Sequence, residues 1–446
     1  MPGFGPPDLG LMKRLVAGVL LALSFGTRAQ DAEPVVVTSD VGRFWEAYDA
    51  VRAAPDSAGR YRALDELFVA PGTPGLHALM ERRGYTPEHY VRAITGAPRF
   101  WDSVRANTLR ADDYAGEIEA VVDRLRTMYP ALRPAQIYFT VGALLTGGTT
   151  LGNKVLIGSE VAMGDSTVVT DELPDGLRQN LRRYFDSNPV EDVVLLNAHE
   201  YVHTQQGPFG ADLLAVALQE GVAEYVSVLA AERPSAAPAV AFGQANEPRV
   251  RDRFATEMFS GRWNDWLYNN AENEFSVRDL GYYVGYAIAE RYVGRSADRG
   301  RAIARLIELD YQDPLAVEAV VEASRYFDRP LDDLRAEYER DRPTVVAIAG
   351  LDGGRDLEPG LRRVSVTFSA PMNPRFRGFD FGPLGADHVL RVADVVGLSD
   401  DGRTVTVDIE LRPGTRHQLT LSDQWRDRDG RALVPYTVDV TAGPER

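Results

Sequence analysis

The heptapeptide Asn197-Ala198-His199-Glu200-Tyr201-Val202-His203 carries two histidines separated by three residues. Residues four apart share one face of an α-helix, so His199 and His203 can present two imidazole nitrogens to one metal ion. Glu200 is turned by about 100° around the helix axis and does not bind the same ion, but its carboxylate can reach a water beside it. The pattern predicts a helix that carries a zinc site and a general base. The alternative, a surface helix with two solvated histidines, requires a chance placement, which is rare because the chain has only 6 histidines.

A second helix is predicted over Leu213–Ala231, where apolar residues occur on every side. Glu220 and Glu224 lie on this helix, and a buried carboxylate must be paired, protonated or bound to a metal. We predict Glu220 as the third metal ligand and Glu224 as the acceptor for the free N–H of a ligand histidine. Salt bridges to arginines are the alternative for both. Gly207-Pro208 ends the first helix, so two antiparallel helices can meet at the ion.

These motifs resemble the gluzincin arrangement, in which a glutamate on the helix after HExxH completes the zinc site. Glu220-Gly221-Val222-Ala223 is similar to the EGxA of aminopeptidase N relatives, and the Glu220, Glu224 spacing is similar to the ExxxD of thermolysin-like enzymes. Roughly residues 39 to 340 resemble predicted zinc-dependent proteases related to the gliding motility lipoprotein B family. The remaining matching pieces are Arg43-Phe44-Trp45, Gly75-Leu76, Tyr129-Pro130, Gly147-Gly148-Thr149 and Gly281 to Tyr286.

A further helix is predicted over residues 281 to 293, with Tyr282 and Tyr286 on one face. Peptide hydrolysis at zinc develops an oxyanion, and a phenol O–H is a suitable donor to it. The resemblance to aminopeptidase N relatives implies this role for Tyr282, in Tyr282-Tyr283-Val284-Gly285. Aromatic core packing is the alternative for both tyrosines.

The fold class that we predict is α+β: a mainly helical, gluzincin-like zinc peptidase domain with a small β-sheet, followed by an all-β sandwich. Residues 39 to 133 have helical spacing, after a leader over 31 to 38. Residues 136 to 141 and 154 to 157 are predicted as two strands, joined by a glycine-rich turn region over 142 to 152. We predict that Gly147, Gly148 and Thr149 bind substrate in an edge strand beside the zinc cleft, to which an extended peptide can add. A plain structural hairpin is the alternative.

Residues 234 to 275 are predicted as an irregular loop followed by an aromatic stretch with Trp263, Trp266 and Tyr268. From Arg342-Pro343 onward, short alternating apolar runs separated by turns predict an antiparallel sandwich. Phe368 to Met372 and Arg426 to Gly430 resemble bacterial Ig-like domains. We therefore predict a metallopeptidase domain over 31–341 and an Ig-like domain over 343–446, which spaces the catalytic part or tethers it to the cell surface.

The N-terminus has the features of an export signal over residues 1–30: Lys13-Arg14, an apolar core from Leu15 to Phe25, and Ala29-Gln30 as a cut site. No later stretch is predicted to span a membrane. The chain has no cysteine, so it has no disulfide and no thiol ligand. The net charge of −16 argues against nucleic acid or an anionic membrane as partner.

Together these features predict an exported bacterial zinc (Zn²⁺) metallopeptidase, periplasmic or extracellular, that acts on a peptide or protein substrate as an endopeptidase. His199, His203 and Glu220 bind the ion, Glu200 is the general base, and Tyr282 or Tyr286 stabilises the oxyanion. The alternative from another class is a catalytically silent envelope scaffold or motility-associated protein that kept the zinc fold. A third hypothesis is that the protein hydrolyses an ester or an epoxide.

Overall fold

The computed structural model of the chain describes residues 35–210, 212–261, 265–269 and 273–445. The predicted export signal and Trp263 lie outside these ranges. Residues 35–446 form one compact unit. The predicted domain boundary near residue 342 therefore stays a prediction, although the hydrophobic core forms two clusters, one on each side of it.

The first part of the described chain is mainly helical, as predicted. Its helices up to the first sheet are α1 (Ser39–Ala53), α2 (Ser57–Leu64), α3 (Pro74–Arg83), α4 (Pro87–Gly96), α5 (Pro98–Thr108) and α6 (Ala115–Met128). Prolines begin three of these helices, at the position where the missing N–H costs no helical hydrogen bond. Aromatic residues of α1 and α5, among them Phe44 and Trp101 with ring centroids 4.9 Å apart, form the core of this region.

A small mixed sheet follows, in the order β1-β2-β4-β3. Its strands are β1 (Val36–Val37), β2 (Gln136–Thr140), β3 (Gly148–Leu151) and β4 (Lys154–Gly158). Three predictions need correction here. Residues 36 and 37 form a strand of the sheet and are not part of a leader. β2 and β4 pair in parallel, so a turn does not join them directly. The glycine-rich segment between them is not only a turn, because it contains β3. β3 and β4 form the hairpin, because Gly152, with φ +58°, and Asn153 supply a two-residue turn.

The helices that position the candidate site come next. After α7 (Ser159–Ala162) and α8 (Asp175–Phe185), a 3₁₀ turn over Pro189–Asp192 leads into α9 (Val193–His203), and α10 (Leu213–Ala231) packs against it. α10 has the predicted bounds. By length and apolarity α10 could cross a membrane, contrary to the prediction that no stretch after the export signal could do so. However, 89% of this apolar stretch is buried inside the protein. A buried core helix has the same composition.

The segment predicted as an irregular loop contains two helices, α11 (Pro238–Ala245) and α12 (Glu247–Ala255). Pro238 and Pro248 lie in the first turns of these helices, where proline is favoured. The two prolines therefore indicate the beginnings of helices and not a loop. The helical region ends with α13 (Leu280–Arg295), α14 (Arg299–Ile307), α15 (Pro314–Ser324) and α16 (Leu331–Asp341).

The C-terminal part consists of antiparallel sheets, as predicted. One sheet has the order β5-β6-β9-β8 and the other β11-β10-β7. Their strands are β5 (Val345–Ala349), β6 (Gly360–Phe368), β7 (Phe379–Asp380), β8 (Arg391–Leu398), β9 (Thr404–Leu411), β10 (Arg416–Leu421) and β11 (Tyr436–Thr441). Both sheets contribute buried residues to one hydrophobic cluster around Trp425, which is the packing of a sandwich. The two-residue β7 was not predicted, because it is too short to show alternation.

Candidate metal centre

His199, His203 and Glu220 form a buried group that can hold a metal ion. The two Nε2 atoms lie 3.0 Å apart, and Glu220 Oε2 lies 3.4 Å from Nε2 of His199 and 3.3 Å from Nε2 of His203. The histidines come from α9, one helical turn apart, and the glutamate comes from α10. The helix-to-helix contact therefore brings together donors that are 17 to 21 positions apart in the sequence.

The separations of these donor atoms match a tetrahedral zinc site. Ligand atoms at about 2.0–2.1 Å from a tetrahedral ion are about 3.3 Å from one another. Two imidazoles and one carboxylate are also a donor set that zinc uses in catalytic sites, where the fourth position remains open. The residues present therefore fit Zn²⁺.

The other ring nitrogen of each histidine faces an acceptor. Nδ1 of His199 lies 3.1 Å from Glu224 Oε2, and the second oxygen of Glu224 accepts a hydrogen bond from the Ser235 hydroxyl. Such an outer partner fixes the tautomer and the orientation of a ligand histidine, with Nε2 left for the ion. The structure thus brings Glu224 to the histidine side chain, at the place where the sequence predicts it.

His203 has an outer partner that the sequence analysis missed. Nδ1 of His203 lies 2.6 Å from Oε1 of Gln206, three residues further along the chain. The Gln206 amide donates to the backbone carbonyl of Gln219, at 2.9 Å, and to the Tyr311 hydroxyl, at 3.3 Å. These two bonds orient the amide so that its oxygen faces the imidazole. Gln206 lies beyond the end of α9, so no helical periodicity signals its contact with the imidazole.

The charges in this group depend on one another. Burial lowers the pKa of His199, but Glu220 and Glu224 raise it by more, to about 10. Burial raises the pKa of Glu220, and the two facing histidines outweigh this effect and hold the pKa well below its usual range. Glu220 is therefore a carboxylate, which is the form that binds a metal ion.

Glu200 lies beside the edge strand of the small sheet. A methyl group at Gly148 of β3 would lie 2.7 Å from Glu200 Oε1, so a larger residue there would force this carboxylate to move. Burial raises the pKa of Glu200, partly offset by His203 and His199. A raised pKa suits a general base, because it makes the carboxylate a better proton acceptor near neutral pH.

The glycine-rich segment does not contact the site uniformly. Gly148 touches Glu200, whereas a methyl group at Gly147 would make only ordinary contacts, the nearest at 3.6 Å with the Tyr184 hydroxyl. Thr149 is buried and pairs with Leu156 of β4. Within the described residues, Gly148 is thus the member of this trio that lies against the predicted base.

The two predicted tyrosines of α13 have different neighbours. The Tyr282 ring lies 5.8 Å from the His199 ring, whereas the Tyr286 ring packs edge-on against Tyr225, at 5.4 Å. A third tyrosine, Tyr268, donates a hydrogen bond to Glu220 Oε1. Burial and the charge of Glu220 raise the pKa of both Tyr268 and Tyr282, so both phenols keep their protons as donors. In the sequence, Tyr268 is distinguished only as part of an aromatic stretch.

Comparison with known proteins does not assign the chain to a family. No family model matches it, and no curated protein matches it. Solved structures that match include the S-layer protein rSbsC(31-844), at 12% identity, and domains 1–6 of surface layer protein SbsC, at 14%. Each match has a TM-score of 0.18 and covers 92% of this chain but only 45% of the other. The chain thus spans less than half the length of these proteins, and so low a score supports no conclusion about fold or function.

Proposed function

We propose that the chain is a zinc-dependent hydrolase that cleaves peptide bonds. The observation that carries the proposal is the meeting of three donors from α9 and α10 at the separations of tetrahedral zinc ligands. Glu200 supports a hydrolytic role rather than a purely structural one, because it lies next to the ligands without being one of them. A structural zinc site has four protein ligands and no bound water that a neighbouring carboxylate could deprotonate.

The reaction follows from the positions of these side chains. His199, His203 and Glu220 would hold Zn²⁺, which would polarise a bound water and lower its pKa towards neutrality. Glu200 is placed to accept a proton from the attacking water as the water oxygen bonds to the peptide carbonyl carbon. The same carboxyl group then gives the proton to the leaving amine. Tyr282 donates its phenol O–H to the oxygen that becomes negative during attack.

The edge strand supports a peptide as substrate. β3 lies at the edge of its sheet and Gly148 brings this edge against Glu200. An extended chain that adds to β3 forms backbone hydrogen bonds and passes the predicted base. This mode of binding recognises backbone rather than a free terminus, which favours an endopeptidase. Export, the exclusion of nucleic acid as a partner and tethering through the C-terminal sandwich remain part of the proposal.

The test compares the wild type with Glu200→Gln on a complex peptide library, with cleavage sites read by mass spectrometry. The variant should bind zinc like the wild type and cleave nothing. Glu191→Gln is the matched control, because Glu191 is exposed in the turn before α9. Cleavage that survives in Glu200→Gln contradicts the mechanism. A wild type that binds zinc and cleaves no peptide favours the silent scaffold instead.

A further inference from the structure

A tyrosine from outside the two ligand helices reaches the third ligand. Tyr268 lies between α12 and α13, and its phenol donates a hydrogen bond to Oε1 of Glu220. The other oxygen of this carboxylate, Oε2, faces the imidazole nitrogens of His199 and His203 at 3.4 and 3.3 Å. The hydrogen bond thus distinguishes the two oxygens of Glu220: one faces the phenol and the other faces the histidines.

The backbone around Tyr268 is held against the start of α13. The carbonyl of Trp266 accepts from the Gly281 N–H at 2.9 Å. Asn269 and Asp279 bond reciprocally: the N–H of Asn269 donates to Asp279 Oδ1 at 3.2 Å, and the N–H of Asp279 donates to Asn269 Oδ1 at 3.3 Å. Tyr268 itself has φ +57°, in the left-handed region that tyrosine rarely adopts. Such a conformation persists where surrounding bonds determine it.

Two phenols lie near Glu220, and their surroundings separate their roles. The rings of Tyr268 and Tyr282 have centroids 6.5 Å apart, at nearly a right angle. Tyr268 donates its proton to a carboxylate that stays charged as a metal ligand, so this proton is committed. Tyr282 packs its ring near that of His199 and is carried by a rigid helix. Glu220 interacts with the Tyr282 phenol as well, so the position of the Tyr282 ring beside His199 is what favours it as the donor to a substrate oxyanion.

We propose that Tyr268 is a positioning residue for the metal centre. Its hydrogen bond orients Glu220 so that Oε2 alone is presented to the ion. Oε1, which accepts from the phenol, does not bind the ion. A carboxylate that binds through one oxygen leaves a coordination position for water. The inference rests on the proposed function, since it assumes that the group holds zinc.

The experiment measures the zinc dissociation constant of the full chain by competition with a chromophoric chelator. Tyr268→Phe keeps the ring and removes the hydroxyl, and removal of an outer hydrogen-bond partner weakens metal binding by about 10- to 100-fold. Tyr129→Phe is the matched control, because the Tyr129 phenol also donates to a glutamate, Glu308, at 2.6 Å. It should leave zinc affinity unchanged. Tyr282→Phe should lower turnover.

If the Tyr268→Phe variant binds zinc as tightly as the wild type, this inference is wrong, whatever the turnover of the variant. Unchanged affinity together with lower turnover would assign Tyr268 to the substrate instead. Wild-type protein that binds no zinc overturns the proposed function and this inference together, so the two failures are distinguishable. Asn269→Ala is the second variant. It removes the side-chain oxygen that accepts from the N–H of Asp279, keeps the backbone N–H of residue 269 and leaves the phenol in place, and it should weaken zinc binding in the same direction.

Discussion

Gly221 of α10 and Gly285 of α13 pack backbone against backbone. A methyl group at Gly221 would lie 2.1 Å from the carbonyl carbon of Gly285, and one at Gly285 would lie 1.8 Å from the carbonyl oxygen of Ala217. Gly221 directly follows the ligand Glu220, and Gly285 lies three residues after Tyr282. The close approach that the two glycines permit therefore sets the distance between a metal ligand and the proposed oxyanion donor.

We expect Gly221→Ala to destabilise the fold and to lower activity. Alanine is the better helix former by about 1 kcal/mol. Here this gain is outweighed, because the added methyl meets backbone atoms that no change of rotamer can move. Overpacking of this kind costs about 1–3 kcal/mol or more. Urea unfolding measures the loss of stability, and peptide turnover measures the displacement of Tyr282.

Gly294→Ala is the control for this substitution. Gly294 also lies in α13, and a methyl group there would meet nothing within 4 Å. The helix propensity of alanine should then stabilise the protein by about 0.5–1 kcal/mol. Equal effects of the two substitutions would show that the contact between α10 and α13 has no energetic importance.

Gly148→Ala should lower peptide turnover by about 10- to 100-fold without loss of zinc. The new methyl group would occupy the space of the Glu200 carboxylate, and a base displaced by about 1 Å loses its alignment with the attacking water. Zinc binding persists, because Glu200 is not one of the ligands. Steady-state kinetics and metal content measure the two effects on the same preparation.

The neighbouring Gly147→Ala serves as the comparison, since a methyl group there makes ordinary contacts. It should retain most of the activity. Loss of activity in both variants alike would mean that the whole segment tolerates no side chain, and that Glu200 is not the reason.

Local spacing explains which parts of the candidate site could be predicted. His199 and His203 are neighbours on one helical turn, and the burial of Glu220 and Glu224 follows from the apolar surroundings of α10. Tyr268 gave no such signal. Its place at Glu220 depends on the Asn269–Asp279 bonds and on an unusual backbone angle, and neither leaves a periodic pattern in the sequence.

The same reasoning applies to the fold. The alternation of apolar residues predicted most strands of the C-terminal sandwich, because each strand buries one face. The pairing of β2 with β4 was not predictable from neighbouring positions, because parallel strands are joined by a crossover whose path depends on tertiary packing. The prolines at 238 and 248 were ambiguous, since proline favours both loops and the first turns of helices.

Gln206→Leu should weaken zinc binding by about 10- to 100-fold, as expected for loss of an outer hydrogen-bond partner. The substitution removes the oxygen that accepts from Nδ1 of His203, so the imidazole loses its fixed tautomer and orientation. Competition with a chelator measures the change. Gln205→Leu is the control, because the side chain of Gln205 bonds to Arg133 and Thr204 and not to a histidine. Similar zinc affinities in the two variants would contradict the role of Gln206.

Glu160 of α7 is a completely buried carboxyl group that faces the segment leading to β3. Its oxygens accept hydrogen bonds from the N–H of Gly142, at 2.9 Å, and of Leu144, at 3.1 Å. Burial raises its pKa from 4.5 to about 7, and these backbone donors oppose part of the rise. The folded protein therefore binds this proton more tightly than the unfolded chain does.

The contribution of Glu160 to the free energy of unfolding should consequently be greatest below pH 4.5. This contribution should be lost as the pH rises through about 7. The full change corresponds to about 3 kcal/mol. Glu160→Gln carries no titrating proton, so its free energy of unfolding should fall less between pH 5 and pH 8 than that of the wild type. Urea unfolding of both proteins in the presence of a chelator measures the difference and removes the contribution of bound metal. Every other titrating group is common to both proteins, so parallel profiles would show that Glu160 is already ionised in the folded state at pH 5.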